Sequence, residues 1–573
     1  MKINICFFVM LLFALIASIN DVFIYLFKLS YVVSLSIVVF FIICLFFILI
    51  KNKKIIITTD LEKEDIFLFI VMFFVILLTG IVYPEYIYDS RSYHIYLQKY
   101  FPIDKVNFDF FPTRMYCICL FPLADRMYYI IRYFFGLRFG TILSFFSPFV
   151  LYYQTKLILK KLTNNSKFVP IFSYIVFGIT TYSCYIGTFY IDNICVLFLL
   201  ELIIMILDYE EEIISNKLYT IFFALISGIS IAIKITSVFY ILPIYLYLLI
   251  SNRKKIKMSF FLLTSIFIIS PFLIYLIDNY VQTGSILFPY YNSIFKSEFF
   301  EYYNWIDERF TINGIVNKLI WPTIIGFKYG KYGDDFEYTD IVMGISYILF
   351  VISLIISVIK KRIDKITILQ LLTVSFYIFW IVVMKGYHRY GVFVIIMATL
   401  LVLSRIINII DKKNITIKNS IKNVLILYFP FLIAMCGFSF MYRFDYNNFR
   451  YMFKDTDSEK YKISIDGVWG APEDTSAYVS LVREENTPIY NLHREYFEDS
   501  EKALAMWEDK INNNKIYTII AYYGGRLEDN EVYKLIKNDG FEIKDIIKEY
   551  TASEIPYINA NSTWILVELE REK

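Results

Sequence analysis

The sequence predicts an all-α polytopic membrane protein of about 13 transmembrane helices, followed by a small C-terminal α/β soluble domain. Three observations carry this expectation. Of 573 residues, 58% are hydrophobic and only 19% are charged, whereas soluble domains carry about a quarter charged residues. The apolar excess is gathered into blocks of about 18 or more residues, the length needed to cross the hydrocarbon of a bilayer. The blocks stop near Arg443, beyond which acidic residues outnumber basic ones by nine.

The first block, Ile5 to Phe27, follows a single lysine. It is read as a span rather than a signal peptide, because no small-residue cleavage site follows and hydrophobicity resumes at Val22. Further spans are expected at about 31–50, 66–84, 128–153, 169–187, 190–208, 217–234, 236–250, 258–278, 341–359, 366–384, 390–408 and 422–441. The connections Lys51–Lys54, Lys156–Lys167, Arg253–Lys257, Lys360–Lys365 and Lys412–Lys422 are basic and alternate so as to share one side. The positive-inside rule makes that side cytoplasmic. Asp208–Lys217 falls there too, although it is acidic. The opposite face then receives loop 85–127, loop 279–340, the Lys385–Arg389 turn and the whole tail. The expected location is therefore the plasma or inner membrane, with the C-terminal domain extracytoplasmic.

The domain division follows: 1–441 in the membrane, 442–573 outside it. Within the tail, Lys515–Tyr523, Phe541–Ile547 and Trp564–Glu568 read as strands, and Glu528–Asn538 as a helix with Gly540 placed to cap it. The tail shows no glycine-rich phosphate loop, metal cluster or nucleophile elbow, and the chain has no fixed-period repeat. The seven cysteines give no disulfide framework. Cys117 and Cys119 stand close enough to share a metal but lack a second pair, so filling apolar space is the plainer reading.

Chemistry-bearing residues gather on the outer side. Tyr88 to His94 places Asp89, Arg91, Tyr93 and His94 just beyond an apolar span. A helix from Asp89 to Tyr100 would put Asp89, Tyr93 and Tyr96 or Tyr100 on one face, lying in the membrane interface. Asp89 is either the cap of that helix or a carboxylate that takes a proton from an acceptor at the bilayer boundary. Asp192 and Asn193 interrupt an apolar stretch, Lys234 ends a span, and His388 and Arg389 lie between two spans; ionisable groups so placed are functional candidates. Lys234 and Arg389 suit a phosphate, the arginine with a bidentate grip; snorkelling at helix ends is the alternative. His94, His388 and Asp89 are metal-ligand types, but no ligand spacing supports a metal, and a hydrogen bond from histidine to Asp89 or substrate is more economical. Trp305, Trp321 and the tyrosines of loop 279–340 either stack sugars or, as is usual there, anchor the membrane interface.

Six segments together resemble one family. They are Asp89-Ser-Arg-Ser-Tyr93-His94, Phe121-Pro-Leu-Ala-Asp125, Tyr190-Ile-Asp192-Asn193, Gly228 to Thr236 around Lys234, Thr283-Gly284 to Asn292 with Pro289, and Arg389-Tyr390. In order and spacing they resemble the multi-span GT-C glycosyltransferases, the group of protein O-mannosyltransferases and the lipid A aminoarabinose transferase, over about residues 60 to 410. Asp125 stands where glutamate is usual, and a proline is missing near Ser285. The resemblance implies inverting transfer of a sugar from a polyprenyl-phosphate donor to a cell-envelope lipid, glycan or protein acceptor. It implies Asp89 as base, with Lys234 and Arg389 at the phosphate. The other substrate-binding candidates are Arg91, Tyr93, His94, Asp192 and His388. No cofactor is required, because phosphate is a good leaving group; partners are the donor, the acceptor and membrane lipids, with no nucleic acid. Two other readings are weaker. A polysaccharide polymerase or ligase also has many spans and large outer loops, and a transporter or flippase would show paired halves and mid-membrane charges.

Overall fold

The computed structural model describes residues 1–59, 70, 89–100, 120–164, 166–299, 311–332, 339–413, 462–472, 479, 482–484, 487–498, 500–522, 526–551 and 563–572. The expected spans at 66–84 and 422–441, the boundary at 441/442, Cys117, Cys119 and Trp305 lie outside the described residues, except that residue 70 is described.

Strand β1 (Lys2–Asn4) runs directly into α1 (Ile5–Phe27) and pairs in parallel with β2 (Ile56–Thr58), which follows α2 (Tyr31–Lys51). Both helices match the first two expected spans. Residues 89–100 are helical, with a π turn over Ser90–His94 leading into α3 (Ile95–Tyr100). The expected span 128–153 is instead two long helices, α4 (Leu123–Phe135) and α5 (Ile142–Leu162), with a four-residue helix at Leu137–Gly140 between them. Gly136 separates them at φ 84°, a conformation L side chains rarely adopt. The expected span 169–187 is also broken, into a helix at Val169–Ser173, a 3-10 turn at Tyr174–Gly178 and a short helix at Thr180–Cys184.

Next come α6 (Asp192–Ser215), α7 (Lys217–Ile233) and α8 (Val238–Ser251). The expected span 258–278 is a bent pair, α9 (Met258–Ile269) and α10 (Leu273–Thr283), meeting at 59°. Helices α11 (Ile341–Ile359), α12 (Lys365–Val382) and α13 (Val392–Lys412) complete the membrane part. Among the described residues six helices are long and apolar enough to cross a membrane, or seven if the bent pair is one span. The protein is thus a multi-pass membrane protein, with fewer uninterrupted spans in the described residues than the hydropathy expectation.

Two helices form its centre. Every residue of α6 from Asp192 to Ile206 is buried, as is every residue of α13 from Val392 to Ser404. A helix that is apolar all round belongs in the middle of a bundle. Helix α2 is the opposite case: Val32, Phe40, Phe41, Phe47 and Ile48 lie exposed on its outer face, where lipid would take the place of protein packing.

Several of the connections expected to share one side meet. Lys161 pairs with Asp208, Lys255 with Glu211 at 2.9 Å, and Ser166 donates to Asp411 at 3.0 Å. The acidic Asp208–Lys217 connection is thereby explained, since its carboxylates face lysines of neighbouring connections.

The C-terminal residues hold a five-stranded sheet in the order β4-β3-β5-β7-β6. Its strands are β3 (Val468–Ala471), β4 (Ile489–Asn491), β5 (Ile516–Tyr522), β6 (Phe541–Thr551) and β7 (Thr563–Arg571). The first three are parallel, and β7 runs antiparallel to β5 and β6. Alternation along the strands gives two apolar faces. Ile516, Ile520, Ile565 and Val567 pack with Trp507 of α14 (Glu501–Asn513) and Ile536 of α15 (Glu531–Asn538). Tyr517, Ile519, Trp564 and Leu566 are continuous with the core of the membrane helices. Helix α15 begins later than the sequence suggests, because the Asn530 side chain caps it by accepting from Val532 and Tyr533 backbone N–H groups. Phe288 and Phe299 of the long loop join the first face, and Lys502 pairs with Glu298 at 2.7 Å.

Candidate functional site

The N-terminal ends of the two central helices and the C-terminal end of α7 come together at the end of the bundle opposite the basic connections. Each delivers one charged side chain. Asp192 is the first residue of α6, Arg389 lies in the 3-10 turn His388–Gly391 that opens α13, and Lys234 follows α7. Lys234 has extended backbone, φ −151° and ψ 112°, so the chain breaks there before the turn Ile235–Ser237. Its position depends on Gly228 one and a half turns earlier. A Cβ on Gly228 would sit 2.2 Å from the Ile268 carbonyl oxygen of α9, so the two helices cross at a distance that only glycine permits.

Two aspartate–cation pairs result. Arg389 Nη1 donates to Asp89 Oδ2 at 2.6 Å, and Lys234 Nζ donates to Asp192 Oδ1. The Tyr390 ring joins them, with Lys234 Nζ 3.7 Å and the Arg389 guanidinium 5.5 Å from its centroid. Tyr190, two residues before Asp192, lies 4.9 Å from the same guanidinium. Cation–π contacts of this kind are worth about 0.5–2 kcal/mol each. Both pairs keep some exposure, with Asp89 and Arg389 at 14% and 12% and Lys234 at 14%, so the cluster remains reachable from outside.

Asp89 makes no side-chain cap bond at the start of its helix. The helix-cap alternative is therefore displaced by the pair with Arg389. Burial raises its carboxyl, but the Arg389 guanidinium, the His94 imidazole and hydrogen bonds from Arg389 and Tyr93 together hold it below the usual carboxylate range. Ile95, Tyr96, Leu97 and Gln98 are all buried within the protein. The π turn closes with the Ile95 N–H donating to the Ser90 carbonyl, which widens the spacing between Asp89 and the residues after it.

The histidines part company. His94 Nδ1 lies 2.9 Å from Asp125 Oδ1 of α4. His388 is fully buried, its Nε2 against the Thr181 hydroxyl, which donates to Asp340 Oδ2 at 3.0 Å. They share no ligand set with Asp89, and among the described residues no group of three or more His, Cys, Asp or Glu side chains could hold a metal. The turn carrying His388 and Arg389 is pinned by indoles: Trp321 Nε1 donates to Gly386 O at 2.8 Å and Trp380 Nε1 to Tyr387 O at 2.6 Å. Trp321 thus holds this turn and is buried. The Arg91 side chain lies outside the described residues.

Sequence reasoning passed over several groups around the site. Asp340 caps α11, accepting from the Met343 N–H at 3.1 Å while binding Thr181; an aspartate directly before an apolar run is a cap signal. Asp21 lies inside the first apolar span and pairs with Arg126 at 2.9 Å. A charge within a span was itself the clue.

No protein-family model matches the chain, and no curated protein matches it significantly. Among solved structures it is similar to ArnT from Cupriavidus metallidurans at 9% sequence identity, covering 87% of this chain and 97% of that one. The TM-score is 0.47 against the form bound to undecaprenyl phosphate and 0.46 against the apo form. It is also similar to the Archaeoglobus fulgidus oligosaccharyltransferase tethered with an acceptor peptide, with TM-score 0.39, 9% identity and coverage of 79% of this chain and 69% of that one.

Proposed function

We propose that the chain is a membrane glycosyltransferase moving a sugar from a polyprenyl-phosphate donor to a cell-envelope lipid, glycan or protein acceptor on the outer face of the membrane. The observation that carries this reading is the joining of two aspartate–cation pairs through Tyr390 at one end of the bundle. The family resemblance of the six segments supplies the donor class.

The chemistry follows from charge. Asp89 takes the proton from the acceptor hydroxyl or amine as the acceptor atom bonds to the anomeric carbon. The bond from that carbon to the phosphate oxygen breaks, and its electron pair leaves with the polyprenyl phosphate. Arg389 and Lys234 meet the charge that develops there. In the resting site Arg389 neutralises Asp89, which makes the carboxylate a weak base. A phosphate that competes for Arg389 releases Asp89, and burial then raises its affinity for a proton. Donor binding and base activation are thereby one event.

Transfer of radiolabelled sugar from a polyprenyl-phosphate donor by the purified protein tests the class. Movement of the intact lipid-linked substrate without covalent change would instead identify a transporter, and transfer of a whole lipid-linked glycan would identify a polymerase or ligase. Arg389→Ala is expected to weaken donor binding about tenfold or more while acceptor affinity changes little; the reverse pattern, on titrating both substrates, would displace Arg389 from the phosphate.

A further inference from the structure

The helix that bears Asp89 is held from behind by one other helix, α4. Arg132 Nη1 donates to the Ile95 carbonyl at 2.9 Å and to Gln98 Oε1 at 3.1 Å, and Arg126 Nη1 donates to the Gln98 carbonyl. Asp125 of the same helix binds His94 at 2.9 Å. Both arginines are among the largest fully buried side chains of the protein. Arg126 is itself fixed by Asp21 of α1 at 2.9 Å, whose other oxygen accepts from Tyr275 of α10 at 2.9 Å. Burying two guanidinium groups is costly unless each is well paired, and here each gives Nη1 to a backbone carbonyl of α3, Arg132 to Ile95 and Arg126 to Gln98, while Arg126 Nε is held by Asp21.

Resting on the proposed role of the Asp89–Arg389 pair, we infer that Arg132 and Arg126 are positioning residues that hold the Asp89 helix so that its carboxylate meets Arg389. The lever is short. Ile95 is six residues from Asp89, or about 9 Å along a helix. A tilt of about 10° released at Ile95 would carry Asp89 by about 1.5 Å, and displacements of about 1 Å cost about a hundredfold in rate. Their hydrogen bonds described above reach α3 at the Ile95 and Gln98 carbonyls and the Gln98 side chain, so both act through that helix.

The sign of one binding measurement separates this role from a general packing role. Decaprenyl phosphate is titrated against the purified full chain in detergent. Asp89→Asn is expected to tighten binding about threefold or more, because Arg389 loses its neutralising carboxylate. Arg132→Met is expected to tighten it in the same direction, and Arg132→Lys to stay within twofold of the native value. Hydrogen exchange on each variant reports that α6 and α13 keep native protection. If Asp89→Asn tightens binding and Arg132→Met leaves it unchanged or weakens it, the positioning role is overturned. If Asp89→Asn itself fails to tighten binding, Arg389 is not the phosphate group, and the reading beneath the inference falls instead. Arg126→Lys serves as the second variant, since its pair with Asp21 makes larger changes a threat to folding.

Discussion

Asp89 is governed by a partner 300 positions away in the chain, Arg389. That pairing makes a pH prediction with a definite sign. In the free protein the guanidinium holds the Asp89 carboxyl low, so the carboxylate stays ionised well into acid. With donor phosphate on Arg389 the same carboxyl is buried without its counter-charge, and its proton affinity rises. The acid limb of kcat/KM reports the free protein and that of kcat the bound complex. The kcat profile is therefore expected to fall at a higher pH than the kcat/KM profile, and coincident limbs would contradict the release of Asp89. The charged members of the site were legible in the sequence, because Asp192, Lys234 and Arg389 stand out at the ends of apolar runs. Their pairing was not, since local spacing cannot report contacts between 192 and 234 or between 89 and 389. Sequence proximity set His94 beside Asp89, whose carboxyl its imidazole helps hold low, but gave no sign that α4 brings Asp125 to the same imidazole.

At the scale of elements, hydropathy located α1, α2, α7, α11 and α12 closely, because each is a continuous apolar helix between polar ends. It failed where apolar composition and helical geometry disagree. Gly136 divides 128–153, and Gly178 and Gly187 bracket the broken stretch before Tyr190, Gly187 at φ 79°. The part of α4 from residue 128 on was counted as lipid-spanning although it carries the buried Arg132, which a protein interior can satisfy and hydrocarbon cannot. The crossing of α7 and α9 gives a direct prediction. Gly228→Ala forces a methyl group to within 2.2 Å of the Ile268 carbonyl unless the helices part. Overpacking of this kind costs about 1–3 kcal/mol, so the variant should unfold at lower denaturant in mixed micelles. An unchanged midpoint would mean that the crossing has slack.

Across the whole molecule, the candidate site and the basic connections occupy opposite ends of the bundle, and the long loop after α10 grips the C-terminal sheet through Phe288, Phe299 and Glu298. The basic end is expected to face the cytoplasm. A membrane-impermeant amine reagent applied to intact cells should then label Lys502, half exposed on α14, and spare Lys255 at the other end; labelling of Lys255 alone would invert the orientation. The role of Asp89 is the claim on which the account turns, and its amide tests that claim most directly. Asparagine keeps an oxygen for Arg389 to donate to but cannot take up a proton. Transfer of radiolabelled sugar from a polyprenyl-phosphate donor by purified Asp89→Asn is predicted to fall about 10²–10⁴-fold with folding and donor binding retained, and turnover near that of the native protein would contradict the account.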